Sequence, residues 1–163
     1  TNLELYNSEV TNNTSYYDGG GVYAYYYMTP TIYNTTFDNN TATYGNGGGL
    51  YFYPYAGNAY DLTVQSSTFT NNTAYYNGGG IYSYSADDLF LADNIINQNT
   101  ANVSSGYYGG GLYMYSTDTA NVVRDTMNLL KPERNVLVRM ETVPDDIHGM
   151  HVAQGILTKD HFG

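Results

Sequence analysis

The chain of 163 residues is long enough for one domain with a real core or for a stack of repeats joined to a second segment. Its formal net charge is −10, and all five basic residues (Arg124, Lys131, Arg134, Arg139 and Lys159) follow position 123, whereas all 21 tyrosines lie at or before Tyr115. A long segment without Lys or Arg has nothing to neutralise phosphates, which argues against nucleic-acid binding and against anionic membrane surfaces. The absence of Cys excludes a disulfide framework and leaves the compartment open. No apolar run approaches a membrane span, and no signal-peptide pattern is present, so a secreted form would have its leader outside this sequence.

An internal repeat organises residues 3–116. Gly triplets begin at Gly19, Gly47, Gly78 and Gly109, at periods of 28, 31 and 31 residues. The apolar anchors Val10, Phe37, Phe69 and Ile96 keep the same register, with Leu5, Ile32, Val64 and Leu91 five residues before them. Asn13, Asn40, Asn72 and Asn99 stand three residues after them. Each unit reads as a short strand, a turn, a second short strand, a variable polar loop, a Gly-rich turn and a third strand. That last strand alternates: Val22, Leu50, Ile81 and Leu112 fall on one side, and Tyr23, Tyr51, Tyr82 and Tyr113 on the other, followed outward by Tyr25, Tyr53, Tyr84 and Tyr115. Alternation with period two in short segments marks half-buried strands. Units of about 30 residues that bury their apolar side only by stacking fit the coils of a parallel β-helix.

The expected fold is therefore all-β: a right-handed parallel β-helix of four to five coils over residues 1–127, with a short α/β-like tail over 128–163. The Gly triplets serve as corners, since a phosphate-cradling loop would need Lys-Ser/Thr after the glycines and a hydrophobic residue followed by Tyr stands there instead. Asn13, Asn40, Asn72 and Asn99 are expected to point inward as a ladder of amides between coils. Asn12, Asn39 and Asn71, one position earlier, point outward and begin N-x-Thr sequons; Asn34 and Asn102 begin further ones, as does the inward Asn13. These are candidate glycosylation sites, although Asn/Thr-rich repeats create sequons by composition alone, and coils about 4.8 Å apart crowd adjacent glycans.

Val122 and Met127 start a fifth coil, but Leu130 takes the place of the ladder Asn and no Gly triplet follows. Beyond it, residues 136–140 read as a strand, Pro144-Asp145-Asp146 as a helix start and residues 155–158 as another strand. Asp145, Asp146, His148 and His151 could suggest a metal or acid-base site; an N-cap with first-turn acids and partly exposed histidines explains them as well.

The pattern F-x-x-N followed by G-G-x-hydrophobic, best in Phe37/Asn40, Phe69/Asn72 and the triplets at Gly47 and Gly78, resembles the repeats of polymorphic outer-membrane proteins and related right-handed parallel β-helix surface proteins. It departs from them in Gly49 and Gly80, where Ala is common, and in its excess of Tyr. The resemblance implies a surface scaffold more than a chemistry. The tail, through Asn135-Val136-Leu137-Val138-Arg139, Pro144-Asp145-Asp146-Ile147-His148-Gly149-Met150 and Gly155-Ile156-Leu157-Thr158, resembles the phosphohistidine swivelling domain of pyruvate phosphate dikinase. Where that family carries its phosphorylated His in a Gly-Gly-Met-Thr-Ser-His motif, Lys159-Asp160-His161-Phe162-Gly163 stands instead, so the resemblance implies only a remnant, a gene-fusion product or an assembly artefact, with no phosphotransfer expected.

The functional expectation is an extracellular or cell-surface structural or adhesive module, not an enzyme, that adds copy to copy by coil stacking into an oligomer or fibre. Glycans and other surface proteins are the other expected partners; no cofactor, bound metal, nucleic acid or membrane insertion is expected. The alternative is a carbohydrate-active β-helix enzyme, a polysaccharide hydrolase or lyase. A lyase for acidic sugars would need cations that the coils lack, and a hydrolase two placed carboxylates, for which Asp87, Asp88 and Asp93 form the only local concentration.

Overall fold

A computed structural model describes residues 2–55, 60–102, 109–115, 117, 119–128 and 136–139. The first coil holds strands β1 (Glu4–Tyr6), β2 (Glu9–Thr11), β3 (Thr14–Ser15) and β4 (Val22–Tyr26). The second holds β5 (Thr31–Tyr33), β6 (Thr36–Asp38), β7 (Thr41–Ala42) and β8 (Leu50–Pro54), and the third β9 (Leu62–Gln65), β10 (Thr68–Thr70), β11 (Thr73–Ala74) and β12 (Ile81–Tyr84). The fourth holds β13 (Asp88–Ala92), β14 (Ile95–Asn97), β15 (Thr100–Ala101) and β16 (Leu112–Tyr115). Beyond it come β17 (Thr119–Val123), β18 (Thr126–Asn128) and β19 (Val136–Arg139).

Corresponding strands of successive coils pair in parallel, giving four sheets that run along the solenoid: β1-β5-β9-β13-β17, β2-β6-β10-β14-β18, β3-β7-β11-β15 and β4-β8-β12-β16-β19. The all-β parallel solenoid agrees with the sequence reading. Each of the first four coils has four strands where the sequence suggested three, because the two-residue strands β3, β7, β11 and β15 are too short to show a period of their own. They are held by ladder pairs such as Thr73 with Thr41 and Thr100.

The apolar anchors pair in the expected register, with Phe69 between Phe37 and Ile96, and Val64 between Ile32 and Leu91. Ile32, Phe37, Leu50, Val64, Phe69, Ile81 and Leu112 are fully buried. The Phe37 and Phe69 rings stack with centroids 4.4 Å apart. In the fourth sheet the inward column reads Ala24, Phe52, Ser83, Met114, all buried. Small and large side chains alternate there from coil to coil, as facing positions in a close-packed interior do.

The Gly triplets form the corner before the fourth sheet. Gly47 has φ +67, a left-handed value that a side chain disfavours. At Gly49 a Cβ would stand 2.6 Å from the Gly80 carbonyl oxygen of the next coil. One glycine is needed for its dihedral and the others for close approach between coils, which explains why a triplet recurs.

The backbone of Val136–Arg139 pairs with Leu112–Tyr115, so the fourth sheet continues past the boundary drawn at residue 127. The helix start at Pro144, the strand at 155–158, and Asp145, Asp146, His148, His151 and His161 lie outside the described residues.

Candidate functional site

The outer face of the fourth sheet carries the tyrosines. Tyr23, Tyr51, Tyr82 and Tyr113 stand in register on consecutive strands, with ring centroids 5.0 Å apart at each step and planes within 9°, 4° and 2° of parallel. Strand spacing of about 4.8 Å sets this distance, since identical rings on neighbouring strands take the same rotamer and stack along the axis. The second column is less regular: Tyr25 meets Tyr53 edge-on at 5.6 Å, Tyr53 meets Tyr84 tilted at 4.7 Å, and Tyr84 stacks on Tyr115 at 4.7 Å.

Pointing away from the core is not the same as being open to solvent. Tyr23 is 50 % exposed, but Tyr51 and Tyr82 retain only 5 % and 8 % of their surface. Their burial, with smaller contributions from Asp18 and neighbouring phenols, pushes both phenol pKa values above the ordinary tyrosine range. The stack covers the ring faces of the inner rungs. A sugar packing against a ring would need such a face, so the middle of the strip is closed to that mode. Further exposed rings gather beside the strip, where Tyr26, Tyr27 and Tyr55 lie in mutual contact at 5.6 to 5.8 Å.

The asparagines occupy one corner, between the second and third sheets. Asn72 donates from Nδ2 to Asn99 Oδ1 (2.9 Å) and to the Phe37 carbonyl (2.9 Å), while its Oδ1 accepts from the backbone N–H (3.0 Å) and Nδ2 (2.9 Å) of Asn40. Both donors and both acceptor sites of the amide are used, which is what a buried amide requires. Asn40 and Asn99 are buried in the same column, and Asn13 joins it through Asn40 Oδ1 from an exposed position in the first coil.

The outward asparagines turn the corner itself. Asn12, Asn39 and Asn71 have φ of 58°, 54° and 54°, a left-handed conformation that Asn tolerates better than most residues. All three are exposed. Asn39 donates to Asn12 Oδ1 (2.8 Å), and Asn71 donates to Asp38 Oδ1 (2.8 Å). Together with Thr70, Asn71 holds the Asp38 carboxyl below the usual range. Asn34 is exposed at the neighbouring corner with φ 47° and donates to Asn7 Oδ1 (2.7 Å), whereas Asn102 is half-buried.

A second inward column was not apparent in the sequence. At the corner between the first and second sheets, Thr35 N–H donates to Ser67 Oγ (3.1 Å), Ser67 N–H to Asn94 Oδ1 (2.9 Å) and Asn94 N–H to Asp125 Oδ1 (2.6 Å). A third ladder precedes the glycines, where Asn46 donates twice to Asp18 Oδ1 and Asn77 twice to Asn46 Oδ1. These columns mix residue types that share an acceptor oxygen, so no single letter runs through either of them.

The three aspartates weighed for hydrolysis are not brought together. Asp88 opens β13 and Asp93 follows its end, which at about 3.3 Å per residue puts their backbones roughly 16 Å apart, well beyond the carboxylate pairs of glycosidases. Asp93 is paired with Arg124, Nε to Oδ1 at 2.6 Å and a terminal nitrogen to Oδ2 at 2.7 Å, which lowers its carboxyl pKa. Asp87 lies at the bend just before β13 and is half-buried, whereas Asp88 is exposed. Among the described residues no group of three or more His, Cys, Asp or Glu is placed to hold a metal ion.

A stretch of 28 residues, 17 % of this chain, is 68 % identical to pyruvate, phosphate dikinase of Clostridium symbiosum. It spans 3 % of that protein's length, too little for the dikinase's activity to be assigned to this chain. No solved structure matches the chain. The family model described as "Right handed beta helix region" matches residues 1–127 and agrees with the parallel coils, so the chain belongs to the right-handed β-helix family.

Proposed function

We propose that this chain is an extracellular structural or adhesive module of the polymorphic outer-membrane protein type, working through the outer faces of its coils. The observation that carries the reading is the tyrosine strip: four rungs of stacked rings flanked by a second tyrosine column on one sheet. A surface built of ring edges and phenol hydroxyls is amphipathic, and suits packing against a second protein surface or another copy better than enclosing a small substrate. The self-associating form adds coil on coil, since strands at the end of a solenoid carry unpaired backbone groups that another copy can pair. Asn12, Asn39, Asn71 and Asn34 are exposed on corners where a glycan would project away from the sheets. Rungs about 4.8 Å apart favour occupancy of alternate rather than adjacent sites.

Electron microscopy and intact-mass measurement of the protein from its native source test the proposal. Filaments or ordered oligomers, with or without added hexose mass, are expected. Discrete monomers of unmodified mass would count against both assembly and glycosylation. Release of reducing sugar by the purified protein, abolished by Asp88→Asn, would favour the enzymatic alternative.

A further inference from the structure

The inward column of Thr35, Ser67, Asn94 and Asp125 ends on a group that differs chemically from the rest. Asn94 does two things there: its Oδ1 accepts the Ser67 N–H, and its Nδ2 donates to the Val64 carbonyl (2.9 Å). The asparagines of the neighbouring corner do the same, with Asn72 donating to the Phe37 carbonyl and Asn99 to the Phe69 carbonyl. Each donor bond reaches the same strand position one coil earlier. Because Val64 pairs with Leu91, the matching acceptor for the side chain at 125 is the Leu91 carbonyl.

Asp125 fulfils half of this pattern. Its Oδ1 accepts the Asn94 N–H at 2.6 Å, but among the described residues Oδ2 has no hydrogen-bond partner, and the residue is only 5 % exposed. An ionised carboxylate has acceptors alone, so at a position where the column supplies a donor it would leave one oxygen buried and unpaired. Among the described residues, the charged groups acting on it are Asp93, which adds repulsion, and Arg124, whose attraction is weak because its guanidinium is turned outward onto Asp93.

We propose that in mildly acidic conditions Asp125 is held as the neutral carboxylic acid, its Oδ2–H standing where the amide N–H of Asn94 stands one coil earlier, so that the fifth coil is then latched onto the fourth by a proton. Burial pushes this carboxyl up to about 6, whereas an unfolded Asp titrates near ~3.9. A carboxyl raised on folding contributes its full stabilisation below about pH 4 and loses it as the pH rises through about 6. The latch therefore tightens on acidification and loosens toward neutrality.

The test compares the full chain with Asp125→Asn, which installs the amide that the neighbouring rung already uses. Thermal unfolding midpoints are measured from pH 4.5 to 7.5 for both proteins. Other groups also change charge with pH, so the decisive quantity is the difference between the two proteins at each pH. The gap is expected to widen by several degrees above pH 6 in favour of Asp125→Asn and to shrink below pH 5; a gap independent of pH overturns the proposal. Carbon NMR titration of the Asp125 carboxyl in the unsubstituted protein provides a second measurement that does not depend on the variant folding. A midpoint near 6 supports the latch, and one at or below 4 overturns it.

Discussion

Two corners of each coil solve one problem with different residues. Both place a residue of left-handed φ outside and a polar residue inside: Asn39-Asn40 and Asn71-Asn72 at one corner, Asn34-Thr35 and Ser66-Ser67 at the other. At the first, an amide repeats in each of the first four coils, and each interior rung makes four hydrogen bonds that tie three coils together. At the second, a hydroxyl, an amide and a carboxyl succeed one another, and the only bond shared by the rungs is acceptance of a backbone N–H from the preceding coil. Satisfying that buried N–H is the obligation common to both corners. The amide's additional bonds are what the repeated asparagine contributes.

The difference should appear first in Asn72→Leu. This change leaves the Asn40 N–H and Nδ2, the Phe37 carbonyl and Asn99 Oδ1 short of a partner, and at about 1–3 kcal/mol per stranded group it should cost on the order of 4 kcal/mol or prevent folding. Urea unfolding measures it. The analogous loss at the other corner is smaller: Ser67→Ala strands chiefly the Thr35 N–H and should cost about 1–2 kcal/mol by the same measurement. Equal losses at the two corners would show that the amide's extra bonds contribute nothing. The smallest effect is expected outside the corner. Ser66 has φ 49°, and Ser66→Asn replaces it with the residue that holds this place at Asn7 and Asn34, for a gain of about 0.5 kcal/mol. A loss would show that the hydroxyl has a role of its own.

The same contrast explains what could be read from the sequence. Asn40, Asn72 and Asn99, the glycine triplets and the apolar anchors were legible because identical chemistry recurs at a fixed offset. The Thr35 column was not legible, because any side chain with a suitably placed oxygen meets its one requirement, and four residue types in five coils leave no pattern. The fourth strand of each coil was hidden by its length of two residues. The direction of the tyrosines followed from alternation, but the closure of Tyr51 and Tyr82 did not. Alternation tells which side a ring leaves from; its covering depends on neighbours from other coils, here Tyr23, Tyr82 and Tyr113, which only the three-dimensional stack brings within 5.0 Å. The aspartates show the reverse case, since closeness in sequence suggested a cluster that an extended strand pulls apart.

Among the described residues every strand pairing joins a coil to the next one, and none skips a coil. Phe37 and Phe69 are register partners, so removal of residues 37–68 would join Thr36 directly to Phe69 and hand each column to its next rung without a change of phase. The repeat is thus a unit of inheritance as well as of packing: a gene that gains or loses one period changes the length of the rod while leaving its cross-section, its corners and its tyrosine face as they were.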